Sequence, residues 1–244
     1  MCGCGTDKHG AKVESYEIDS QAVGRELPQR LVLPEERSDA LLVFLHGRNG
    51  DEDSNLQEEL YAALADLGKD APAVVFPDGG EDSYWHDRST GAWGRYVIDE
   101  VIPRAIEESD ADPRRVAIGG ISMGGFGAYD LARLYPDRFC AVGGHSPAVW
   151  TEGGQTAPGA FDDAEDFARH DVIALARARG RAAWGRAELW LDGGTTDPFR
   201  RADEALAAAL GIRMRHWTGG HEHAYWQRHY DAYLRFYATA LARC

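Results

Sequence analysis

The sequence has no long apolar run. No stretch approaches the roughly 18 residues that a membrane-spanning helix needs, so none is expected. Positive charge is also scarce: Lys and Arg total 26 against 40 Asp and Glu, a formal net charge of −14. Phosphate binding needs a clustered basic surface, so a nucleic-acid partner is not expected, and anionic membranes are disfavoured. Cysteine is sparse. Cys2, Cys4, Cys140 and Cys244 are spaced as neither a zinc site nor a disulfide framework. Cys140 lies in an apolar stretch and reads as a buried thiol.

What is present suffices for one sizeable domain: 244 residues, 44% of them hydrophobic. Residues 1–12 read as a polar, disordered leader and 13–244 as the domain. The leader has no apolar core and so no complete signal peptide. Cys2 and Cys4 sit in it as at the mature end of a bacterial lipoprotein. The compartment expected is the cytoplasm by default, or a secreted or lipid-anchored state if the natural start lies upstream of Cys2.

Strands are predicted at Val13–Ile18 and Leu27–Leu33, with a turn near Gly24, then at Ala40–Leu45 and Ala73–Phe76. The last two are continuous apolar runs, as in strands covered on both faces. Further strands are expected at Arg115–Ile118, Phe139–Val142, Glu188–Leu191 and Ile212–Trp217. Helices are predicted at Leu56–Leu67, Tyr96–Glu107, Met123–Tyr135, Pro198–Leu210 and Ala224–Ala242. Residues 147–186 break the rhythm and read as an insertion near the active-site end of the sheet. Alternating strands and helices imply an α/β fold: a mostly parallel central sheet with helices on both faces. Function in such sheets collects at the carboxyl ends of the strands.

The chemical residues fall there. Gly120-Ile-Ser122-Met-Gly124 joins a predicted strand to a predicted helix. A serine exposed on so sharp a turn needs glycine two residues before and after it. The helix start then places amides and a positive dipole end beside a developing negative charge. A serine hydroxyl also needs a base, oriented by a third group. The histidine expected is His221, straight after two glycines at the mouth of a strand, with His223 as the alternative. A metal held by these two histidines lacks a third ligand of suitable spacing, so no metal or cofactor is expected. For the acid, Asp197 competes with Asp192. Asp197 precedes proline and reads equally as a helix N-cap. The oxyanion donors expected are the amides of Met123 and of Arg48, in the loop His46-Gly-Arg-Asn-Gly50. His46 itself reads as a brace for that loop.

With these residues placed, the chain resembles the α/β-hydrolase-fold serine esterases: the esterase D-like, feruloyl, acetyl-xylan and enterochelin esterases and the mycolyltransferases. The resemblance spans nearly the whole chain after the leader. It rests on the opening hairpin from Tyr16 to Pro34, His46-Gly47, the aromatic loop Ser83-Tyr84-Trp85-His86, Gly120–Ala128, Asp197-Pro-Phe199, and His221 with Ala224-Tyr-Trp226 behind it. Members often carry an aromatic where His223 stands. The resemblance implies metal-free hydrolysis of a small carboxylic ester, such as an acylated sugar or a feruloyl ester, through an acyl-enzyme on Ser122. Tyr84 and Trp85 are the expected substrate contacts, Trp85 as an apolar wall. Rival readings are an acyltransferase using the same triad and a non-catalytic carbohydrate-binding or scaffold module. The oligomeric state is left open.

Overall fold

The computed structural model describes residues 6–244. Cys2 and Cys4, on which the lipid-anchor expectation rests, lie outside the described residues.

The chain opens with a hairpin, β1 (Lys12–Ser20) and β2 (Arg25–Leu33), turning at Gly24 with φ 78°. Then follow β3 (Leu41–Leu45), α1 (Glu58–Leu67) and β4 (Ala73–Pro77). Residues 93–109 form α2, with a π-helical turn at Tyr96–Val101. Next come β5 (Val116–Ile121), α3 (Met123–Leu134) and β6 (Ala141–His145). Residues 147–186 lie between β6 and β7 and carry α4 (Ala164–Arg169) and α5 (Val172–Arg179). The chain continues through β7 (Glu188–Gly194), α6 (Arg200–Leu210) and β8 (Met214–Trp217) to α7 (His223–Gln227) and α8 (Tyr230–Leu241). The single closing helix expected at Ala224–Ala242 is therefore two.

Among the described residues the main sheet has eight strands, in the order β1-β2-β4-β3-β5-β6-β7-β8. Neighbours from β4 to β8 pair in parallel, while β2 runs antiparallel to β1 and to β4. Alternate side chains of a strand face opposite ways, so each central strand feeds two cores. Leu41, Val43 and Leu45 pack with α2, α3, α5 and α6. Leu42 and Phe44 pack with α1, α7 and α8. Burial on both faces explains why the runs read as continuous rather than alternating. Among the described residues no helix is long and apolar enough to cross a membrane.

Strands β5, β6 and β7 run past their expected ends into glycines. Gly119 and Gly143 pair across β5 and β6. A Cβ on either would lie 1.7 or 1.9 Å from the Tyr237 hydroxyl. The bare backbone makes room for a tyrosine from α8. The cysteine expectation is corrected too: Cys140 is joined to Cys244 by a disulfide, their Cα atoms 5.8 Å apart. Helix α8 returns the chain end to the start of β6, a proximity that spacing in the sequence cannot display.

Candidate active site

Ser122 sits between β5 and α3 with φ 55° and ψ −113°, a conformation that L-residues avoid. Three backbone bonds hold it there. Its N–H donates to the His145 carbonyl at 3.0 Å, and its carbonyl accepts from Phe126 at 3.0 Å and Ala148 at 2.9 Å. The flanking glycines are obligatory for a steric reason. A Cβ on Gly120 would stand 2.5 Å from the Leu45 carbonyl oxygen, and one on Gly124 only 2.1 Å from it. Helix α3 therefore lies directly against the end of β3, with Ser122 lifted at its start.

The loops after β7 and β8 bring the partners. Thr195 and Thr196 donate backbone bonds to Trp217 and Gly219, each at 2.9 Å. A Cβ on Gly194 would meet the Gly219 carbonyl at 2.3 Å. Pressed together, the loops set His221 Nδ1 at 3.0 Å from Asp197 Oδ2, and His221 Nε2 at 2.8 Å from Ser122 Oγ. The other Asp197 oxygen accepts the Phe199 N–H at 2.8 Å. Burial acts to raise the Asp197 pKa, but the His221 and Phe199 hydrogen bonds outweigh it and hold the carboxyl below its usual range. The N-cap expectation needs correction: α6 begins at Arg200, so Asp197 closes the turn before the helix rather than capping it.

Asp192, the rival acid, is fully buried and engaged elsewhere. It accepts hydrogen bonds from His145 Nδ1 and Trp190 Nε1, both at 2.7 Å, and from the Tyr225 and Tyr233 hydroxyls at 3.0 Å. His145 reaches on to the Tyr237 hydroxyl at 2.9 Å. This hub was not singled out in the sequence, because its donors come from β6, β7, α7 and α8. His223, the rival base, lines the cavity with its ring against Trp226, 5.6 Å between centroids.

The cavity over Ser122 has a volume of about 390 Å³. Arg48 and Tyr84 line it, as do Phe199 and Trp226, which the sequence did not single out as substrate contacts. No periodicity marks those two; only their places beside Asp197 and His221 hint at them. Met123 opens α3, where an amide has no acceptor within its own helix. A Cβ on Gly47, next to Arg48, would lie 3.4 Å from the Ser122 Cβ, so the loop backbone abuts the serine. His46 Nε2 accepts the Gly79 N–H at 2.9 Å while Nδ1 donates to the Gly47 carbonyl at 2.8 Å. Burial pushes its pKa down, which suits a neutral brace.

Trp85 does not form a cavity wall. It is 0% exposed, and its indole N–H donates to the His46 carbonyl at 3.2 Å. A Cβ on Gly79 or Gly127 would come within 2.3 or 2.5 Å of it, so the ring is clamped between two glycines. It braces the loop from behind. A second cavity, of about 580 Å³, shares Asn49 and Gly50 with the first and is lined by Asp51, Asp78, Glu81 and Asp82 with Arg25.

Strand order, the serine turn and the Ser-His-Asp contacts define the α/β-hydrolase fold with a serine-hydrolase arrangement. The chain belongs to the Esterase family: the family model described as "Putative esterase" matches residues 20–237. It is a serine carboxylic-ester hydrolase. An S-formylglutathione hydrolase of Paracoccus denitrificans (strain Pd 1222) is 26% identical over 204 residues, 69% of this chain and 72% of that one. The solved structure of a ferulic acid esterase superposes with a TM-score of 0.82 at 20% identity, covering 94% of this chain and 98% of the other. An S-formylglutathione hydrolase from Agrobacterium tumefaciens gives 0.77, also at 20% identity, covering 96% of each chain.

Proposed function

We propose that the chain hydrolyses small, uncharged carboxylic esters, acylated sugars foremost, through an acyl-enzyme on Ser122. The observation that carries this reading is the unbroken line of contacts from Ser122 Oγ to His221 Nε2 at 2.8 Å and from His221 Nδ1 to Asp197 at 3.0 Å. Ser122 attacks the ester carbonyl while His221 takes its proton. Asp197 holds the ring tautomer and stabilises the imidazolium. The amides of Met123 and Arg48 receive the oxyanion. His221 then returns the proton to the departing alcohol, and water repeats the sequence on the acyl group.

The Ser122 cavity, with Tyr84, Phe199 and Trp226, takes a short or flat acyl group. The adjoining acidic cavity takes the alcohol. Its carboxylates accept hydrogen bonds from sugar hydroxyls and repel an anionic leaving group. S-formylglutathione, although the substrate named for two relatives, is expected to be turned over more slowly here than an acetylated neutral sugar.

The test has two arms. A fluorophosphonate should label Ser122, as read by peptide mass spectrometry, and Ser122→Ala should lose both the label and all turnover. Esters sharing one acyl group on neutral, cationic and anionic alcohols are then ranked by kcat/KM. No adduct on Ser122 overturns the mechanism; a preference for the anionic alcohol overturns the leaving-group assignment alone.

A further inference from the structure

Beyond the serine site, two histidines and an aspartate meet inside the protein with no part in the mechanism above. His86 comes from the aromatic loop. Asp166 lies on α4 and His170 directly follows it, so the two share one helix face four residues apart. All three are buried, at 1%, 0% and 8% exposure. One ligand atom from each lies within 4.8 Å of those of the other two. His86 Nε2 is 3.1 Å from Asp166 Oδ2, and His170 Nε2 is 3.7 Å from Asp166 Oδ1.

The far sides of the rings are informative. His170 Nδ1 lies 2.7 Å from Asp130 Oδ2 and donates to it, while His86 Nε2 donates to Asp166 and has to release that proton for a metal to bind there. His86 Nδ1 lies 3.5 Å from the Tyr84 carbonyl oxygen. Imidazole ligands of metals are held in this way, with one nitrogen donating to a carboxylate or carbonyl so that the other presents its lone pair. His170 Nε2 and Asp166 Oδ1 face each other at 3.7 Å, too far for a direct hydrogen bond and wide enough for a cation to sit between them. Two guanidinium groups also touch the cluster. Arg133 donates to Asp130 at 2.6 Å, and Arg169, itself 60% exposed, reaches Asp166 at 3.0 Å from the rim. Arg133 meets only the far side of His170, Arg169 has solvent to turn into, and the Asp162 N–H, 2.9 Å from Asp166 Oδ2, helps to orient the carboxylate.

We propose that His86, Asp166 and His170 bind one divalent transition-metal ion, zinc before others. Two imidazoles and a carboxylate suit zinc, whereas magnesium and calcium favour oxygen alone. A fourth ligand comes from water or the second Asp166 oxygen. The ion ties residues 147–186 to the loop that carries Tyr84, and so fixes a wall of the ester cavity without touching the reacting atoms. Phe161 of this segment already packs on Tyr84 and His86, with ring centroids 6.2 and 5.2 Å apart.

The test uses the full chain without a polyhistidine tag, stripped with a chelator and titrated with Zn²⁺ by calorimetry. One equivalent should bind, and saturating Zn²⁺ should raise Tm by about 5 °C or more. Co²⁺ should give visible d–d absorption in the wild type that is lost in His86→Ala and in His170→Gln. Fluorophosphonate labelling of Ser122 in both variants shows that they fold. Absence of stoichiometric binding to the wild type overturns the proposal. So does binding that survives both substitutions, or that is lost instead in His223→Ala.

Discussion

Asp197 uses its two carboxylate oxygens for different purposes, one on the Phe199 amide and one on the His221 ring. Asparagine can keep the first contact, since its carbonyl oxygen accepts as well, but it cannot stabilise an imidazolium. Asp197→Asn should therefore keep Tm within a few degrees while kcat on p-nitrophenyl acetate falls by about 10⁴, the scale seen when a triad aspartate is so replaced. Equal loss of stability and turnover would refute the division of labour. Gly124 has no such latitude. A methyl there would meet the Leu45 carbonyl at 2.1 Å, backbone against backbone. Gly124→Ala should cost about 3 kcal/mol or more in urea unfolding. Ser122 and its glycines were legible in the sequence because a tight turn is a local demand. Trp85 was misread because an aromatic beside a glycine-rich loop looks the same whether it faces a cleft or lies clamped behind it.

Among the elements, α6 carries a buried acid with an unusual cost. Asp203 is fully buried and, among the described residues, neither of its oxygens has a hydrogen-bond partner. Burial first, then the nearby Asp197 and Asp192, push its pKa well above the ordinary carboxylate value. A carboxyl whose pKa is raised on folding holds its proton in the native state after the unfolded chain has released it. Stability from this group is thus full below about pH 4 and lost as pH rises toward the folded value. Asp203→Asn, which mimics the protonated form, should raise Tm at pH 8, change it little at pH 4, and flatten the profile between. An unchanged profile would mean that Asp203 ionises freely. The β7 hub predicts the opposite balance from Asp197. Asp192→Ala strands four buried donors and should cost on the order of 3 kcal/mol, whereas Asp197→Ala should damage turnover more than stability.

For the molecule as a whole, the disulfide from Cys140 to Cys244 spans a sequence separation of 104 and pins the end of α8 to β6. Loop-closure entropy on that scale is worth about 2–5 kcal/mol. Cys244→Ser should lower Tm in unfolding scans yet leave kcat unchanged, since the bond lies outside the residues lining the Ser122 cavity. Turnover lost in step with the bond would contradict that separation. The sequence alone determined the parallel α/β architecture, because buried strands and amphipathic helices write their periods locally. It also determined the serine turn, whose glycines answer to neighbours a residue or two away. Only the tertiary structure decided which aspartate meets His221, where Trp85 lies, that Cys140 and Cys244 meet, and that His86 joins Asp166 and His170. Each of those depends on how distant segments pack, and contact across tens of residues leaves no periodic mark on the chain.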